Sequence, residues 1–422
     1  MNLTTKIVAA TFAVVLVVSG ALSAHAQDPA AQGQARVAAM LEAGAEPVRI
    51  VCFGDSVTGL YYHTGGRRTY SDMLQIALQR LYPAASVTVI NAGISGNNTV
   101  NALARIETDV LAHKPHLVTI MFGLNDITNL TMEQYAENLA SIITQCRAAG
   151  SEVLLCTPNA VEETERRPSA KLEEYIAALQ KVAVDNSVPV VDCYAAYQQV
   201  RAKDPLAFAF LMSDEIHPNM DGHKLFAQVI AEAIAGKPVS LEDVESPFPA
   251  MPKTLALLKE GKPVRVYAMP PYDALIAPAL LSAFPSATIE VTAWPVEGRS
   301  VAQLEADAKP VREMGVDLVI VAVPADANAE SPEKYLRSYS WVMNYALSFA
   351  HQEWDVIAFP PSTANPALAA DENEPLARQR IHAQDLGTIT RADGDETPVA
   401  QLLEEWVKEQ FAESGTTASV KE

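Results

Sequence analysis

A serine at the end of an apolar run and a distant Asp-x-x-His motif are the residues best suited to chemistry. Ser56 follows the run at 48–53 in a Gly-Asp-Ser sequence, and the motif contains Asp214 and His217. A serine hydroxyl is a weak nucleophile near neutral pH, so it needs a general base within hydrogen-bond distance and a group that orients this base. His217 and Asp214 can supply these functions. The pattern predicts a hydrolase.

Two further segments offer hydrogen-bond donors for a negatively charged oxygen. Gly96 lies in the polar segment 91–99, and Asn125 follows the apolar run 117–122 in the sequence Gly-Leu-Asn-Asp. A glycine backbone amide and an asparagine side-chain amide can both stabilise the oxyanion of a tetrahedral intermediate. The two segments therefore fit acyl transfer by a serine.

The order of these four blocks resembles the SGNH (GDSL-type) hydrolase family over about residues 47–236. The resemblance implies hydrolysis of carboxylic esters by a flavodoxin-like fold, a three-layer α/β/α arrangement around a parallel sheet. It also implies that no metal ion and no organic cofactor is required. The roles that it implies are a nucleophile at Ser56, a base at His217, an orienting carboxylate at Asp214, and an oxyanion hole of the Ser56 and Gly96 amides with the Asn125 side chain.

Each block also has a purely structural interpretation. Gly-Asp-Ser after a strand is often a turn with a helix cap, because Asp and Ser accept hydrogen bonds from exposed helix amides. His217 before Pro218 could mark the entry to a helix, and the block around Asn125 could be an ordinary turn. All four blocks in the family's order are a stronger signal than any one of them.

Alternating apolar runs and helical periods predict how these residues are positioned. The predicted strands are 48–53, 86–91, 117–122, 152–156 and 188–192, and the predicted helices are 70–81, 100–111, 132–148, 169–185 and 222–234. Strands interleaved with helices favour a parallel sheet covered on both faces. Reactive groups collect at the carboxyl ends of such strands, where Ser56, Gly96 and Asn125 are expected.

The first 26 residues have the composition of a signal peptide. They combine Lys6, an Ala- and Val-rich run at 7–22 and an Ala-x-Ala sequence before Gln27, which predicts cleavage there and export to the periplasm or beyond. An uncleaved anchor is the alternative, although the run is short for a span of ~20 residues. No stable membrane insertion is expected after cleavage.

The chain is strongly acidic, with a formal net charge of −20. Such a charge disfavours nucleic acids and anionic membranes as partners. The expected partner is a small-molecule or polysaccharide ester, and the sequence leaves the oligomeric state open.

Four cysteines lie in the first part of the chain, at Cys52, Cys146, Cys156 and Cys193. Export permits disulfides, whereas the apolar surroundings of three of the four favour buried free thiols, and the sequence leaves the pairing open. Their spacing matches no zinc-binding pattern.

The length of the chain exceeds the usual size of a single core, which predicts two domains. The predicted organisation is an N-terminal segment at 27–46, a catalytic domain at 47–236, a proline-rich linker at 237–261, a second α/β domain at 262–412 and a tail at 413–422.

The second domain is predicted to be a degenerate copy of the first. Its sequence echoes the first at a constant offset of 201 residues from Val100 to Asp126. Tyr272 and Asp326 stand at the equivalents of Ser56 and Asn125, so the chemistry is lost. A structural role is the preferred interpretation, and shaping the cleft or binding a ligand are the alternatives.

The candidate substrate contacts are Tyr61, Tyr62, Arg67 and Asn97. Aromatic rings could stack on sugars and an arginine could bind a carboxylate or phosphate, whereas a mobile surface loop is the plain alternative. Export and the lack of a long apolar lid favour short-chain esters, above all O-acetyl groups on carbohydrates. A lysophospholipase or thioesterase is one alternative, and a secreted non-catalytic carbohydrate-binding protein is another.

Overall fold

The described chain divides into two units, each built on its own parallel sheet. A computed structural model describes residues 35–392 and 394–412. The N-terminal unit contains the described residues up to Leu60 and the stretch from Arg68 to Val244. The C-terminal unit contains the separate segment Tyr61–Arg67 and the described residues from Glu245 onward.

Some of the predictions fall on other parts of the chain. The leader predicted at 1–26, the first part of the segment predicted at 27–46 and the tail predicted at 413–422 lie outside the described residues.

The N-terminal sheet has five parallel strands in the order β2-β1-β3-β4-β5. The strands are β1 (Val48–Gly54), β2 (Val87–Gly93), β3 (Leu117–Met121), β4 (Glu152–Cys156) and β5 (Val190–Val191). Every residue of β3 is buried, as expected of a central strand that is covered on both faces. The predicted parallel sheet is confirmed.

The helices of the unit are α1 (Ala35–Ala43), α2 (Ser56–Gly59), α3 (Tyr70–Leu81), α4 (Thr99–Asp109), α5 (Asp126–Asn129), α6 (Met132–Ala148), α7 (Ser169–Asn186), α8 (Cys193–Lys203), α9 (Pro205–Leu211) and α10 (Met220–Ala235). Helices in two groups pack around the sheet to give the predicted three-layer α/β fold. In one group α3 packs against α10, and in the other α6 packs against α4 and α7.

Three of the longer helices, α1, α8 and α9, were not among the predicted elements. The start signals of α8 and α9 are nevertheless local. Asp192 caps α8 by accepting a hydrogen bond from the Ala195 amide at 3.0 Å. Asp204 caps α9 in the same way, and Pro205 occupies the first helical position, where a missing N–H costs nothing.

All four cysteines are buried free thiols in the N-terminal unit. Burial raises the pKa of Cys52 and of Cys146 to about 12, so both are held as neutral thiols. This is the arrangement that the apolar surroundings favoured.

The C-terminal sheet has four parallel strands in the order β7-β6-β8-β9. The strands are β6 (Val264–Ala268), β7 (Ile289–Ala293), β8 (Leu318–Val321) and β9 (Asp355–Ala358). The helices are α11 (Pro252–Lys259), α12 (Tyr272–Ala283), α13 (Val301–Ala308), α14 (Pro332–Ala346), α15 (Pro361–Ala364), α16 (Glu374–Ala383) and α17 (Val399–Ala412). A second α/β domain therefore exists, while its origin by duplication stays a prediction.

The segment predicted as a linker at 237–261 is structured. Leu241 is buried in the core of the N-terminal unit, and the guanidinium of Arg80 donates to the Ser240 carbonyl at 2.9 Å. Further along, the Thr254 amide at the start of α11 donates to the Asp355 carboxylate at 2.6 Å. Pro252 occupies the first position of α11, where a missing N–H costs nothing.

In the part of the chain that the structure describes, none of the helices combines the length and the apolar character that crossing a bilayer requires.

Candidate active site

The turn between β1 and α2 presents Ser56 at the first position of a short helix. Asp55 caps this helix, because its carboxylate accepts a hydrogen bond from the Val57 amide at 3.0 Å. Only glycine fits at position 54, since a Cβ there would lie 2.0 Å from Thr58 Oγ1 and 2.9 Å from the Met121 carbonyl oxygen. The helix cap that the structural interpretation proposed is therefore present, and it holds the serine in place.

Asp214 and His217 lie in the loop between α9 and α10, and both side chains converge on Ser56. His217 Nε2 is 2.9 Å from Ser56 Oγ, and His217 Nδ1 is 2.9 Å from Asp214 Oδ2. The loop is closed locally, because Asp214 Oδ1 accepts hydrogen bonds from the amides of Ile216 and His217 at 2.7 and 2.6 Å. A hydroxyl, an imidazole and a carboxylate in this order can activate the hydroxyl as a nucleophile.

The electrostatics of the site favour the protonated form of the His217 imidazole. Burial lowers the pKa of His217, but the charge of Asp214 and its hydrogen bond more than offset this effect, so the pKa lies above the usual value. Burial also raises the pKa of Asp55, to about 7, against the hydrogen bond from Val57. Asp55 therefore changes charge close to neutral pH.

The side chain of Asn125 is fixed at both ends of its amide. Its Nδ2 donates to the Asn97 carbonyl at 2.9 Å, and its Oδ1 accepts from Arg167 Nη2 at 3.1 Å. An amide nitrogen carries two hydrogens, so one N–H is not used by this contact. Gly96 lies in the neighbouring turn with φ of +76°, a conformation that favours glycine.

Two arginines that the sequence did not single out hold the site together. Arg167, in the loop after β4, also donates through Nε to the Leu124 carbonyl at 2.9 Å. Arg105, on α4, donates to the carbonyl of Gly54 at 2.9 Å and to the side-chain oxygen of Asn97 at 2.8 Å. The Asn97 side chain, predicted to contact substrate, thus has a structural partner. Periodicity cannot reveal such contacts because they join distant loops.

Asp126 links the segment of Gly96 to the end of β3. Its Oδ1 accepts hydrogen bonds from the amide and the hydroxyl of Thr99, at 2.9 and 2.7 Å. Burial raises the pKa of this carboxyl, while the bonds from Thr99 act in the opposite direction. The two segments that carry the predicted oxyanion donors are therefore tied to each other.

The remaining predicted substrate contacts have a different environment. Tyr61, Tyr62 and Arg67 belong to the C-terminal unit by their contacts. The Arg67 guanidinium donates to two backbone carbonyls of that unit, and the Tyr62 ring lies against Arg312, whose guanidinium carbon is 4.8 Å from the ring centre. Tyr61 and Tyr62 are buried, which disagrees with the exposed surface loop weighed as the alternative. Their contact with substrate stays a prediction.

Comparison with known proteins places the chain among ester hydrolases. Residues 52–225 match the model of the GDSL-like lipase/acylhydrolase family. An acetylxylan esterase from Geobacillus stearothermophilus is 30% identical over 170 residues, which cover 37% of this chain and 76% of that protein. The "thioesterase 1/protease 1/lysophospholipase L1" of Escherichia coli K12 is 27% identical over 151 residues, which cover 36% of this chain and 68% of that protein.

Among solved structures, the crystal structure of an acetylxylan esterase from Geobacillus stearothermophilus matches with 27% identity and a TM-score of 0.40 over 46% of this chain and 97% of that one.

Proposed function

The chain belongs to the GDSL-like lipase/acylhydrolase family, and we propose that it is an exported serine esterase. Its proposed reaction is the removal of short acyl groups, above all O-acetyl groups, from carbohydrates. That it hydrolyses carboxylic esters follows from the family. The observation that carries the mechanism is the 2.9 Å separation of Ser56 Oγ and His217 Nε2, with Asp214 behind the imidazole.

The proposed reaction has two acyl-transfer steps. Ser56 Oγ attacks the ester carbonyl carbon while His217 Nε2 accepts the hydroxyl proton, and Asp214 stabilises the imidazolium that forms. The oxyanion binds to the amides of Ser56 and Gly96 and to Asn125 Nδ2. His217 then protonates the departing alcohol. A water molecule attacks the acyl-enzyme by the same route, which releases the acid and restores the serine.

The two orienting contacts of Asn125 support its proposed role. A side-chain amide that had to find its orientation during the reaction would lose part of its benefit, whereas a fixed donor needs no reorganisation. The contacts to Arg167 and Asn97 therefore favour a preformed oxyanion hole.

The acyl preference is proposed from the relatives. Two curated proteins called acetylxylan esterase are among those that resemble this chain, one from Geobacillus stearothermophilus and one from Xylanibacter ruminicola. The second candidate is hydrolysis of esters with longer acyl chains. It is suggested by the Escherichia coli relative, whose name includes thioesterase and lysophospholipase. A sugar-binding protein without turnover is the third.

Hydrolysis rates on four substrates separate these candidates. We expect purified protein to release acetate from acetylated xylo-oligosaccharides and from 4-nitrophenyl acetate, with little turnover of 4-nitrophenyl octanoate or a lysophospholipid. A preference for octanoate or lysophospholipid would favour the second candidate. Folded protein that binds xylo-oligosaccharides but turns over none of the esters would favour the third.

Ser56→Ala, run beside Ser151→Ala, tests the nucleophile in the same assay. Ser151 is a buried serine of the same unit whose hydroxyl donates to the Pro115 carbonyl at 2.8 Å, so its loss affects packing but not the proposed chemistry. We expect Ser56→Ala alone to abolish turnover.

Export is proposed from the sequence of the first 26 residues. Expression of the full chain followed by N-terminal sequencing of the product should give a mature protein that begins at Gln27. A product that keeps its leader and stays with the membrane fraction would instead support an uncleaved anchor.

A further inference from the structure

The segment Tyr61–Arg67, termed the arm below, falls in sequence between α2 and α3 of the N-terminal unit. Its contacts nevertheless assign it to the C-terminal unit. It begins immediately after α2, the short helix that starts at Ser56. The Leu60 amide, one residue before the arm, donates to the Ser56 carbonyl at 2.9 Å. The arm and the proposed nucleophile are therefore separated by a single helical turn.

The C-terminal unit holds the backbone of the arm at two points. Gln384 Nε2 donates to the Tyr62 carbonyl at 2.8 Å, and the Gln352 amide donates to the Gly66 carbonyl at 2.8 Å. Backbone carbonyls that are bonded in this way cannot move without loss of a hydrogen bond in a buried environment.

The end of the arm is anchored by a side chain. Arg67 Nη1 donates to the carbonyls of Pro247 and Pro249 at 3.1 and 2.8 Å. A charged donor that is shared between two carbonyls forms a stronger attachment than a neutral one.

A buried polar network supports the middle of the arm. Gln384 Nε2 also donates to Asn344 Oδ1 at 2.6 Å, and Asn344 Nδ2 lies 3.3 Å from His63 Nδ1. Gln384, Asn344 and His63 are all at most 1% exposed. Such a network stabilises one arrangement strongly, because each group that loses its partner stays buried at a cost.

The fit of the arm is also steric. Gly65 has φ of +80°, and a Cβ at this position would lie 2.4 Å from the Gln384 carbonyl oxygen. The arm itself contains only one turn of 3-10 helix, Tyr62–Thr64, which is too short to be stable alone. Its order therefore comes from the C-terminal unit.

We propose that the C-terminal unit is a positioning domain for catalysis: it fixes the arm and thereby the helical turn that carries Ser56. The proposal rests on the role of Ser56 proposed above. It gives a function to a domain that carries Tyr272 and Asp326 at the positions equivalent to Ser56 and Asn125. Misplacement of a reacting group by ~1 Å can cost ~10²-fold in rate, so a loosened arm should reduce activity measurably.

The test uses two variants of the full chain that disturb the arm in different ways. Gln384→Ala removes the donor to the Tyr62 carbonyl, and Gly65→Ala forces the arm away from residue 384. Thr363→Val is the matched control, because Thr363 is a buried polar residue of the same unit whose hydroxyl donates to the Ile389 carbonyl at 2.7 Å. Like Gln384→Ala, Thr363→Val removes a buried side-chain donor from a backbone carbonyl.

Three readouts separate positioning from mere stability. We expect Gln384→Ala and Gly65→Ala to lower kcat at least tenfold on short and long esters alike, with KM within about twofold. We expect them to slow phosphonylation of Ser56 by a small phosphonate ester to a similar extent. Hydrogen exchange at the amides of 56–67 should become faster, whereas Thr363→Val should leave all three readouts unchanged.

Other outcomes would overturn the proposal. Unchanged kcat, phosphonylation and exchange in either folded variant would show that the arm does not restrain the nucleophile. An effect confined to the KM of large esters would show that the arm shapes the cleft instead. If Gln384→Ala does not fold, Gly65→Ala and Asn344→Ser decide. If Ser56→Ala kept its activity while the arm variants showed faster exchange, the role of Ser56 would be refuted. The mechanical coupling between the arm and the helical turn would still stand.

Discussion

The two sheets of this protein share a frame but differ at their carboxyl edges. In both, the first strand lies between the second and the third, and the register is equivalent: Ile50 pairs with Leu117 in one sheet, and Val266 pairs with Leu318 in the other. Even the hydrogen bonds at the start agree, since the His116 amide donates to Arg49 at 2.8 Å and the Asp317 amide to Arg265 at the same distance.

The carboxyl edges carry different residues at equivalent positions. Ser56 and Tyr272 each begin the helix that follows the first strand. Asn125 corresponds to Asp326, and Arg105 corresponds to Ala306, which cannot bridge the loops. Backbone pairing and apolar burial therefore account for the shared frame but do not determine the chemistry at the edge, because the reacting side chains contribute little to either.

Proline marks the edge of the C-terminal sheet. A pocket of about 310 Å³ there is lined by five prolines, at positions 270, 271, 324, 360 and 361. Proline has no N–H, so these positions cannot supply the backbone donors that an oxyanion requires. The difference between the edges thus extends from side chains to the backbone.

The largest expected effect comes from removal of the proposed general base, His217. His217→Ala should lower kcat by roughly 10⁴-fold or more, and combining it with Ser56→Ala should add little, because the two groups act as a unit. His382→Ala, which changes an exposed histidine of the C-terminal unit, should leave kcat unchanged. Steady-state kinetics on 4-nitrophenyl acetate measure both. Equal losses for the two histidines would refute the assignment of the chemistry to one edge.

Substitutions of Asn125, the proposed oxyanion donor, test the difference between the two sheet edges at a second position. Asn125→Ala should lower kcat by roughly 10²- to 10³-fold, the usual loss for one oxyanion donor. Asn125→Asp, which copies Asp326, should lower it further at neutral pH because a carboxylate repels the developing charge. The reciprocal Asp326→Asn is the control and should leave kcat unchanged. Were Asn125→Asp to keep more activity than Asn125→Ala, the oxyanion role would be wrong.

The contact of Arg167 with Asn125 predicts a smaller loss. Arg167→Lys keeps the charge but not the fork that reaches both the Leu124 carbonyl and Asn125 Oδ1, so kcat should fall by ~10-fold or more with KM little changed. Arg166→Lys, at the exposed neighbour, is the matched control. A loss in KM alone would indicate substrate binding by Arg167 rather than orientation of the amide.

The sequence predicted the frame because strands and helices leave local patterns. The helices 70–81 and 132–148 were predicted with the bounds that the structure shows. The role of Arg167 could not be predicted, since it depends on the meeting of two loops 42 residues apart. The placement of Tyr61–Arg67 was missed for the same reason, because its partners follow it by up to 322 residues.

The smallest effect concerns pH and involves His217 and Asp55, at the carboxyl edge of the N-terminal sheet. His217 must be neutral to accept the Ser56 proton, and its pKa lies above the usual value, so kcat/KM should rise with pH and reach its plateau above the usual histidine range. Ionised Asp55 contributes to the raised pKa of His217. Asp55→Asn should therefore shift the acid limb of the pH–rate profile to lower pH while keeping the helix cap.

The same variant should change how stability depends on pH. The pKa of Asp55 is raised by burial from 3.8 to about 7 in the folded protein, so folding favours its protonated form. This contribution, ~4 kcal/mol at most, is fully present below pH 3.8 and is lost as pH rises through 7. The melting temperature, measured between pH 4 and 8, should fall less steeply with rising pH for Asp55→Asn than for the unchanged chain. Parallel declines would mean that the pKa of Asp55 is not raised in the folded protein, so that its carboxylate stays ionised.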